Sequence, residues 1–570
     1  MTPLRPLRAA WLLAALLLAG CAHPLPQRHL VAAAHPLAAD AGLQMLRAGG
    51  SAIDAGIAVQ LVLTLVEPQS SGIGGGVFIV HHDGRQVQTI DGRETAPAAA
   101  SPDLFMKDGR PMGFMDGVVG GRSVGVPGTL RALELAHRQH GKLPWKALFQ
   151  PAIRLAEEGF VISPRLANFL RDPAIADSLK RDAQARVYFY EPDGKPRAAG
   201  STLRNPALAM LLRDVAERGP VALHEGVVAR DLVAKVRGHA SNPGAITEAD
   251  LAGYRAKARD PLCFDHRTWR VCGMAPPSSG TLALGQVLGM LAKHDLAALP
   301  PSGQSLNPRA IHLLTEAYRL AYADRDRYVA DPDFVPLPGG SPDALLNATY
   351  LAQRGALIGE RSMGKAAPGN PLPGSVVLAD DRSPELPSTS HVSVVDGHGN
   401  ALSMTMTIEH LFGSRLMVHG FMLNNELTDF SFVPAVDGVP VANRVEGGKR
   451  PRSSMTPLLV FDRASGQLLM SVGSPGGPFI VTFVGKVLVG VLDWKLPVQQ
   501  AMALPNFGSR NGPTELESTP DTAALAEALR ALGHEVRLMR LSSGLNGVQR
   551  TPQGWIGGTD PRGEGSVRGD

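Results

Sequence analysis

A threonine, serines and a histidine stand together in the run Pro387-Ser388-Thr389-Ser390-His391-Val392-Ser393-Val394-Val395-Asp396. Residues 392–396 and 401–407 alternate apolar and polar side chains around the glycine-bearing turn Gly397-His398-Gly399, which predicts a β-hairpin. With those three residues as the loop, Asp396 pairs with Asn400, Ser393 falls opposite Ser403, His391 opposite Thr405, and Thr389 opposite Thr407. These share one face. Val392, Val394, Leu402, Met404 and Met406 share the other, and one face of such a hairpin is expected to lie on a core. The preceding residues 364–387 are rich in Pro and Gly and poorly patterned. A chain that cuts itself between Ser388 and Thr389 would expose a threonine whose own α-amine, with an ordinary pKa of about 7.7–8.0, can take the hydroxyl proton. In an uncut chain that nitrogen is an amide and cannot act as a base, so cleavage has to precede activity. An ordinary amphipathic hairpin after a loop carries the same local pattern, and the triplet alone does not decide between them.

Residues that could serve such a nucleophile lie far along the chain. A strand predicted over 86–90 runs into Asp91-Gly92-Arg93-Glu94, which places Arg93 either to fork onto a carboxylate or to make a surface ion pair. Glu426 and Asp429 are three residues apart. A helical turn puts both carboxylates on one side, able to hold an ammonium, unless both are solvated turn residues. Ser453 and Ser454 supply adjacent hydroxyls before a strand. A strand over 468–473 leads through Ser474-Pro475-Gly476-Gly477-Pro478 into a helix from about Phe479. Two glycine amides near the positive end of a helix suit an oxyanion, although a glycine turn without a catalytic task has the same sequence.

The elements that must position these residues follow from the pattern. Residues 32–66 read as helical, with a break at Gly49-Gly50 and a second helix from Ala52 capped by Ser51. Glycines 72–76 precede a strand over 77–81, and the lysine and following helix of a phosphate loop are missing. Helical signals mark 130–140, most of 145–259, the turn after Ala275-Pro276-Pro277, 310–325 and 521–532; a strand is predicted over 535–540. No repeat occurs. Abundant helix before the hairpin and strand pairs after it fit an α+β layered sandwich.

With 570 residues and 44% hydrophobic composition the chain can bury a sizeable core, in two to four domains or one large α/β unit. Its net charge of +4 comes from interspersed charges without a basic run, which excludes a nucleic-acid partner. Arg5 and Arg8 precede an apolar run over 9–18 that is too short for a stable membrane anchor and reads as a secretory signal. The run ends in Leu18-Ala19-Gly20-Cys21, which resembles a bacterial lipoprotein box. That resemblance implies cleavage before Cys21, lipidation of Cys21 and, with Ala22 following, sorting to the outer membrane of a Gram-negative bacterium, facing the periplasm. No later segment reads as transmembrane, so membrane contact is expected only through the lipid. Cys263 and Cys272 flank a possible hairpin. A disulfide is the better reading there, since no His/Cys/Asp cluster has ligand spacing, and neither metal nor cofactor is expected.

Five ordered motifs together resemble the γ-glutamyltransferase family over about residues 31–563. They are Thr389-Ser390-His391-Val392-Ser393-Val394-Val395-Asp396, Leu423-Asn424-Asn425-Glu426-Leu427-Thr428-Asp429-Phe430, Lys449-Arg450-Pro451-Arg452-Ser453-Ser454-Met455, Gly473-Ser474-Pro475-Gly476-Gly477 and Gly557-Gly558-Thr559-Asp560-Pro561-Arg562. The resemblance implies an N-terminal nucleophile hydrolase with an αββα sandwich. Its precursor would have a signal at 1–20 and would cut itself at Ser388–Thr389 into a large subunit, 21–388, and a small one, 389–570, that stay together as a heterodimer. It implies Thr389 as nucleophile, Thr407 as its supporting hydroxyl, and Gly476 and Gly477 as the oxyanion donors. Arg93, Ser453 and Ser454 would hold an α-carboxylate; Glu426 and Asp429, with Glu409 nearby, would hold an α-ammonium. The implied reaction moves a γ-glutamyl group from glutathione or a similar amide to water or to an acceptor amino acid or peptide.

The chain departs from the family pattern in places. Glu409 stands where many members have Asn, and Arg452 replaces the usual Leu beside the carboxylate clamp. Only the 18 residues 431–448, without tyrosine, separate Phe430 from Lys449. A short or absent lid and a more open pocket are therefore expected. Two other readings remain. A poly-γ-glutamate enzyme or a cephalosporin (glutaryl) acylase would keep the fold and change the substrate. A processing-dead surface lipoprotein would only bind γ-glutamyl compounds.

Overall fold

The computed structural model describes residues 28–374, 377–382 and 388–570, so the signal and lipidation readings at 1–20 and Cys21 lie outside the described residues. Two sheets stack at the centre. The first holds seven strands in the order Ser566–Gly569, Leu30–Ala33, Ser390–Val395, Ala401–Thr407, Gly76–His82, Val87–Gly92, Lys257–Arg259. The second holds six, in the order Gly554–Thr559, Asn546–Thr551, Leu468–Gly473, Leu458–Asp462, Trp269–Gly273, Leu262–His266. Strands from before and after Thr389 thus alternate within the first sheet and share the second.

Helices cover both outer faces, which gives the αββα order. Ala52–Val66 lies on the hairpin strands of the first sheet, and Gly280–Met290 and Ile480–Leu492 lie on the second. Ser51 and Asp54 close a capping box at the start of Ala52–Val66. The helix sits so close to the sheet that a Cβ on Gly56 would stand 2.1 Å from Leu402 Cδ2. Cys263 and Cys272 occupy directly opposed positions on neighbouring strands and form a disulfide.

The hairpin has the register its alternation predicts, from Ser390 opposite Met406 to Val395 opposite Ala401. Val392, Val394, Leu402, Met404 and Met406 face the helix layer and join its apolar core. The hydroxyl face is also fully buried, because the second sheet covers it. Its groups satisfy one another across the gap: Ser471 Oγ donates to Ser393 Oγ at 2.9 Å and Ser403 Oγ to the Val472 carbonyl at 3.1 Å. His391 bridges Thr405 Oγ1 at 2.8 Å and Ser393 Oγ at 3.0 Å, and burial lowers its pKa to about 3, so the ring is neutral. A Cβ on Gly473 would fall 2.3 Å from that ring. His391 is therefore a fixed spacer between the sheets, not a base.

Candidate active site

One cavity brings together Thr389, Thr407, Arg93, Glu409, Glu426, Asp429, Ser453, Ser454 and Gly477. Gly476 is not among its lining residues. In the uncut chain the cavity measures about 20 Å³, and Ser388 forms part of its wall. The Thr389 hydroxyl is in contact with the carbonyl oxygen of Ser388, at the peptide that self-cleavage would attack. Thr407 Oγ1 lies 3.4 Å from Thr389 Oγ1, within reach of its hydroxyl proton, and is held in place by the Glu409 amide, which donates to it at 2.9 Å. Thr389 immediately precedes the strand Ser390–Val395 and Thr407 ends Ala401–Thr407, each next to the paired residues Ser390 and Met406.

Gly476 and Gly477 have φ of 139° and 54°, in the range that only glycine adopts readily. Gly477 opens the short 3₁₀ turn Gly477–Phe479, which runs into Ile480–Leu492. Among the described residues neither glycine amide has a hydrogen-bond acceptor. An unpaired N–H at a helix start beside a nucleophile is what a developing oxyanion needs.

The charged end differs from expectation in one respect. Glu426 and Asp429 do point the same way, from the 3₁₀ turn Glu426–Asp429, but both carboxylates pair with Arg93. Arg93 also donates from Nε to Pro451 O at 3.2 Å and from Nη2 to Arg452 O at 2.9 Å. Only one N–H, on Nη1, remains among the described residues, so Arg93 cannot fork onto a substrate carboxylate as the strand-end position suggested. It is also no surface residue. Its backbone is fixed by Asp91 Oδ1 at 2.9 Å and by the Tyr254 hydroxyl at 2.7 Å. Burial alone would lower its pKa, but Glu426, Asp429 and Glu94 outweigh that and hold it raised.

Sequence reasoning missed three residues here. Glu94 lies fully buried with no hydrogen-bond donor to either oxygen, and Gly76 leaves the space it fills. Burial first, then repulsion from Glu426, pushes its pKa well above the usual carboxylate range. Glu426 itself is raised to about 7, chiefly by burial. Glu409 is raised well above normal by burial and by Asp429 and Glu426, and its Oε1 has no donor. Arg325 reaches in from the helix Pro308–Tyr328 and donates to Ser454 Oγ at 2.7 Å and Ser279 Oγ at 3.0 Å. Glu67, the C-cap of Ala52–Val66, accepts Ser390 Oγ at 2.6 Å immediately behind the nucleophile. Only the position of Glu94 next to Arg93 gave any signal for these.

Arg452, the departure from the family's leucine, turns its side chain away from the clamp and pairs with Asp381 at 3.1 Å. Residues 431–448 contain a short hairpin, Ala435–Val436 with Val439–Pro440, and none of them lines the Thr389 cavity. His312, Glu316 and His534 lie close enough to hold a metal ion. Their ligand atoms are already hydrogen-bonded: His312 Nδ1 to His534 Nε2 at 2.8 Å, and Glu316 to Arg319 Nε at 3.0 Å. A cation would displace these bonds beside an arginine, and nothing in the cluster calls for one.

An αββα sandwich with a threonine heading a central strand, beside unpaired glycine amides, defines an N-terminal nucleophile hydrolase. The family model for gamma-glutamyltranspeptidase matches residues 38–569, and the chain belongs to that family. The glutathione hydrolase proenzyme of Bacillus subtilis (strain 168) is 37% identical over 490 residues, covering 84% of this chain and 80% of that protein. The acylase ACY 1 proenzyme of Pseudomonas sp. (strain SE83) is 35% identical over 543 residues, covering 93% and 91%. The crystal structure of cephalosporin acylase from Bacillus halodurans superimposes with a TM-score of 0.82 at 28% identity, covering 95% of this chain and 96% of that one.

Proposed function

We propose that the chain is the precursor of a γ-glutamyl hydrolase and transferase acting on glutathione or related γ-glutamyl amides. Thr389 Oγ first attacks the Ser388 carbonyl carbon, the C–N bond breaks so that the amide becomes an ester with a free Thr389 amine, and water then hydrolyses the ester to a Ser388 carboxylate and the Thr389 hydroxyl. That cut frees Ser388 from the cavity wall and gives the substrate room. The two products stay together because their strands are interleaved in the first sheet and pair with each other in the second. The freed amine then takes the Thr389 hydroxyl proton as the oxygen attacks the γ-carbonyl, while Gly477, with Gly476 beside it, stabilises the oxyanion. The carbon–nitrogen bond breaks and the leaving amine departs with that proton. Water or an acceptor amine later attacks the ester on Thr389, gives up a proton to the amine and restores the enzyme.

The observation that carries the reading is the surplus of carboxylates at the closed end: Glu409, Glu426 and Asp429 face one Arg93. Among the described residues Glu409 Oε1 and Glu426 Oε2 have no donor, and an α-ammonium can supply one and favour their ionised form, which a glutaryl group cannot. The remaining Arg93 N–H and the hydroxyls of Ser453 and Ser454 would take the α-carboxylate. The test compares γ-glutamyl-4-nitroanilide with glutaryl-4-nitroanilide. We expect kcat/KM at least ~100-fold higher for the γ-glutamyl compound, the worth of about 3 kcal/mol. Faster release from the glutaryl compound would overturn the assignment. Because only the ionised form of Glu426 attracts an ammonium, KM for the γ-glutamyl donor should fall as pH rises through about 7. A Glu426→Gln variant should lose that dependence.

We also propose that the protein is carried to the periplasm and held at the outer membrane by lipid on Cys21. The support is the Leu18-Ala19-Gly20-Cys21 sequence and the disulfide at Cys263–Cys272, which fits an oxidising compartment. Cys21→Ser should move the protein from the membrane fraction to the soluble one; retention in membranes would refute the anchor.

A further inference from the structure

Thr389 also lines a second, smaller cavity, together with Ala34, Glu67, Arg165 and Asn546. None of these four lines the cavity that gathers Arg93 and its acids. The second cavity measures about 10 Å³, which suits the hydrogens of an amine or one water and excludes a substrate.

Two acceptors here are unused. Glu67 Oε2 accepts Ser390 Oγ at 2.6 Å, whereas its buried Oε1 has no hydrogen-bond donor among the described residues. Arg165 Nη1 stands 3.7 Å from Oε1, too far for a hydrogen bond. Asn546 spends Nδ2 on the carbonyls of His391 at 3.2 Å and Gly544 at 2.9 Å, and its Oδ1 is buried without a donor. Bare buried acceptors cost stability until a donor reaches them.

The strand turns such a donor towards them. Backbone amides alternate sides along a strand. Asp396 donates to Asn400, so even-numbered residues of Ser390–Val395 face Ala401–Thr407 and odd-numbered ones face Leu30–Ala33. Carried back to Thr389, the alternation directs its nitrogen to the side where Leu30–Ala33 has ended and Ala34 meets the cavity. In the uncut chain that nitrogen is an amide with one hydrogen; the cut makes it an amine with two, or three once protonated.

We propose that Glu67 and Asn546 receive the α-amine that the cut frees on Thr389, and that Glu67 orients this base and stabilises the ammonium it becomes. Glu67 is then a positioning residue, the third group behind a nucleophile and its base. This rests on the reading of Thr389 as a self-released nucleophile and deepens it. Burial pushes the Glu67 carboxyl up while Arg165 and the Ser390 hydroxyl oppose that, and an ammonium beside it favours its ionised form further. The other charged groups lining the cavity have partners of their own. Asp560 pairs with Arg562 at 3.1 Å, and Glu564 accepts the Arg165 amide at 2.9 Å.

The test uses processed enzyme, its cut fraction fixed by intact mass, with γ-glutamyl-4-nitroanilide as donor. In Glu67→Gln we expect kcat about tenfold lower at unchanged KM. The acidic limb of its kcat–pH profile should lie about one unit lower, because an amine without its carboxylate protonates less readily. In Arg165→Gln, whose side chain is 29% exposed, the limb should move to higher pH, since a positive charge near the amine is gone. A lower kcat in Glu67→Gln with the limb unmoved would reduce Glu67 to a structural part and overturn the proposal. An unmoved limb in Arg165→Gln would overturn it too, and decides the matter alone if Glu67→Gln fails to fold or cut. If the processed parent turns over only glutaryl-4-nitroanilide, the γ-glutamyl reading fails, and the same profiles on that donor still decide the role of Glu67.

Discussion

Thr389→Ala should yield one uncut chain without activity, while the parent should yield two chains, the smaller starting at Thr389 and ending at Asp570. Denaturing intact-mass spectrometry reads both outcomes directly. The alanine removes the oxygen that contacts the Ser388 carbonyl, so the amide-to-ester step has no nucleophile. It also removes the hydroxyl that attacks substrate, and losing a covalent nucleophile costs on the order of 10⁴-fold or more in kcat. Thr389→Ser separates these effects from misfolding: it keeps an oxygen at that place and should still be cut, more slowly. A cut chain from the alanine variant would move the cleavage site elsewhere and remove Thr389 from every role given to it. The fold should survive in all three, since the strand ladder begins at Ser390 and does not use the Thr389 side chain.

That ladder was legible because strand side chains alternate with period two, and a three-residue turn leaves one register that keeps Val392, Val394, Leu402 and Met404 together. Ser51 and the Gly49-Gly50 break marked the helix at Ala52 for the same local reason. The sequence could not show what covers the hydroxyl face. Alternation gives the polarity of a face, and Ser393 and Ser403 look alike under water or under a second sheet. Only the tertiary pairing with Ser471, Val472 and Asn546 makes that face an interior one. The site residues followed the same division. Motif spacing gathered Glu426 with Asp429 and Ser453 with Ser454, because each pair lies within one turn or one dipeptide. That Arg93 would spend its N–H groups on Glu426 and Asp429, more than 300 positions away, is a property of the packed core. Arg325 and Glu94 enter the site for similarly non-local reasons.

The pairing of Arg93 gives the second large effect. Arg93→Met should destabilise the protein as well as inactivate it, because it leaves the buried Glu426 and the half-buried Asp429 without their cation, close to Glu409. Removing one partner of a buried ion pair typically costs about 3–5 kcal/mol. In a chain of this size that corresponds to a fall in Tm on the order of 5 °C. Arg93→Lys keeps the charge and should stay near the parent in Tm, yet lose activity: one ammonium cannot span two carboxylates and two carbonyls and still meet a substrate. The decisive variant combines Arg93→Met with Glu426→Gln and Asp429→Asn. If the cost is uncompensated charge, neutralising the acids restores most of the lost Tm while kcat/KM stays far below the parent, since only Glu409 is left to meet an ammonium. If Arg93→Met melts with the parent, the three groups are not bound together electrostatically. If the triple variant melts as low as the single one, the loss came from packing around the arginine stem and not from its charge.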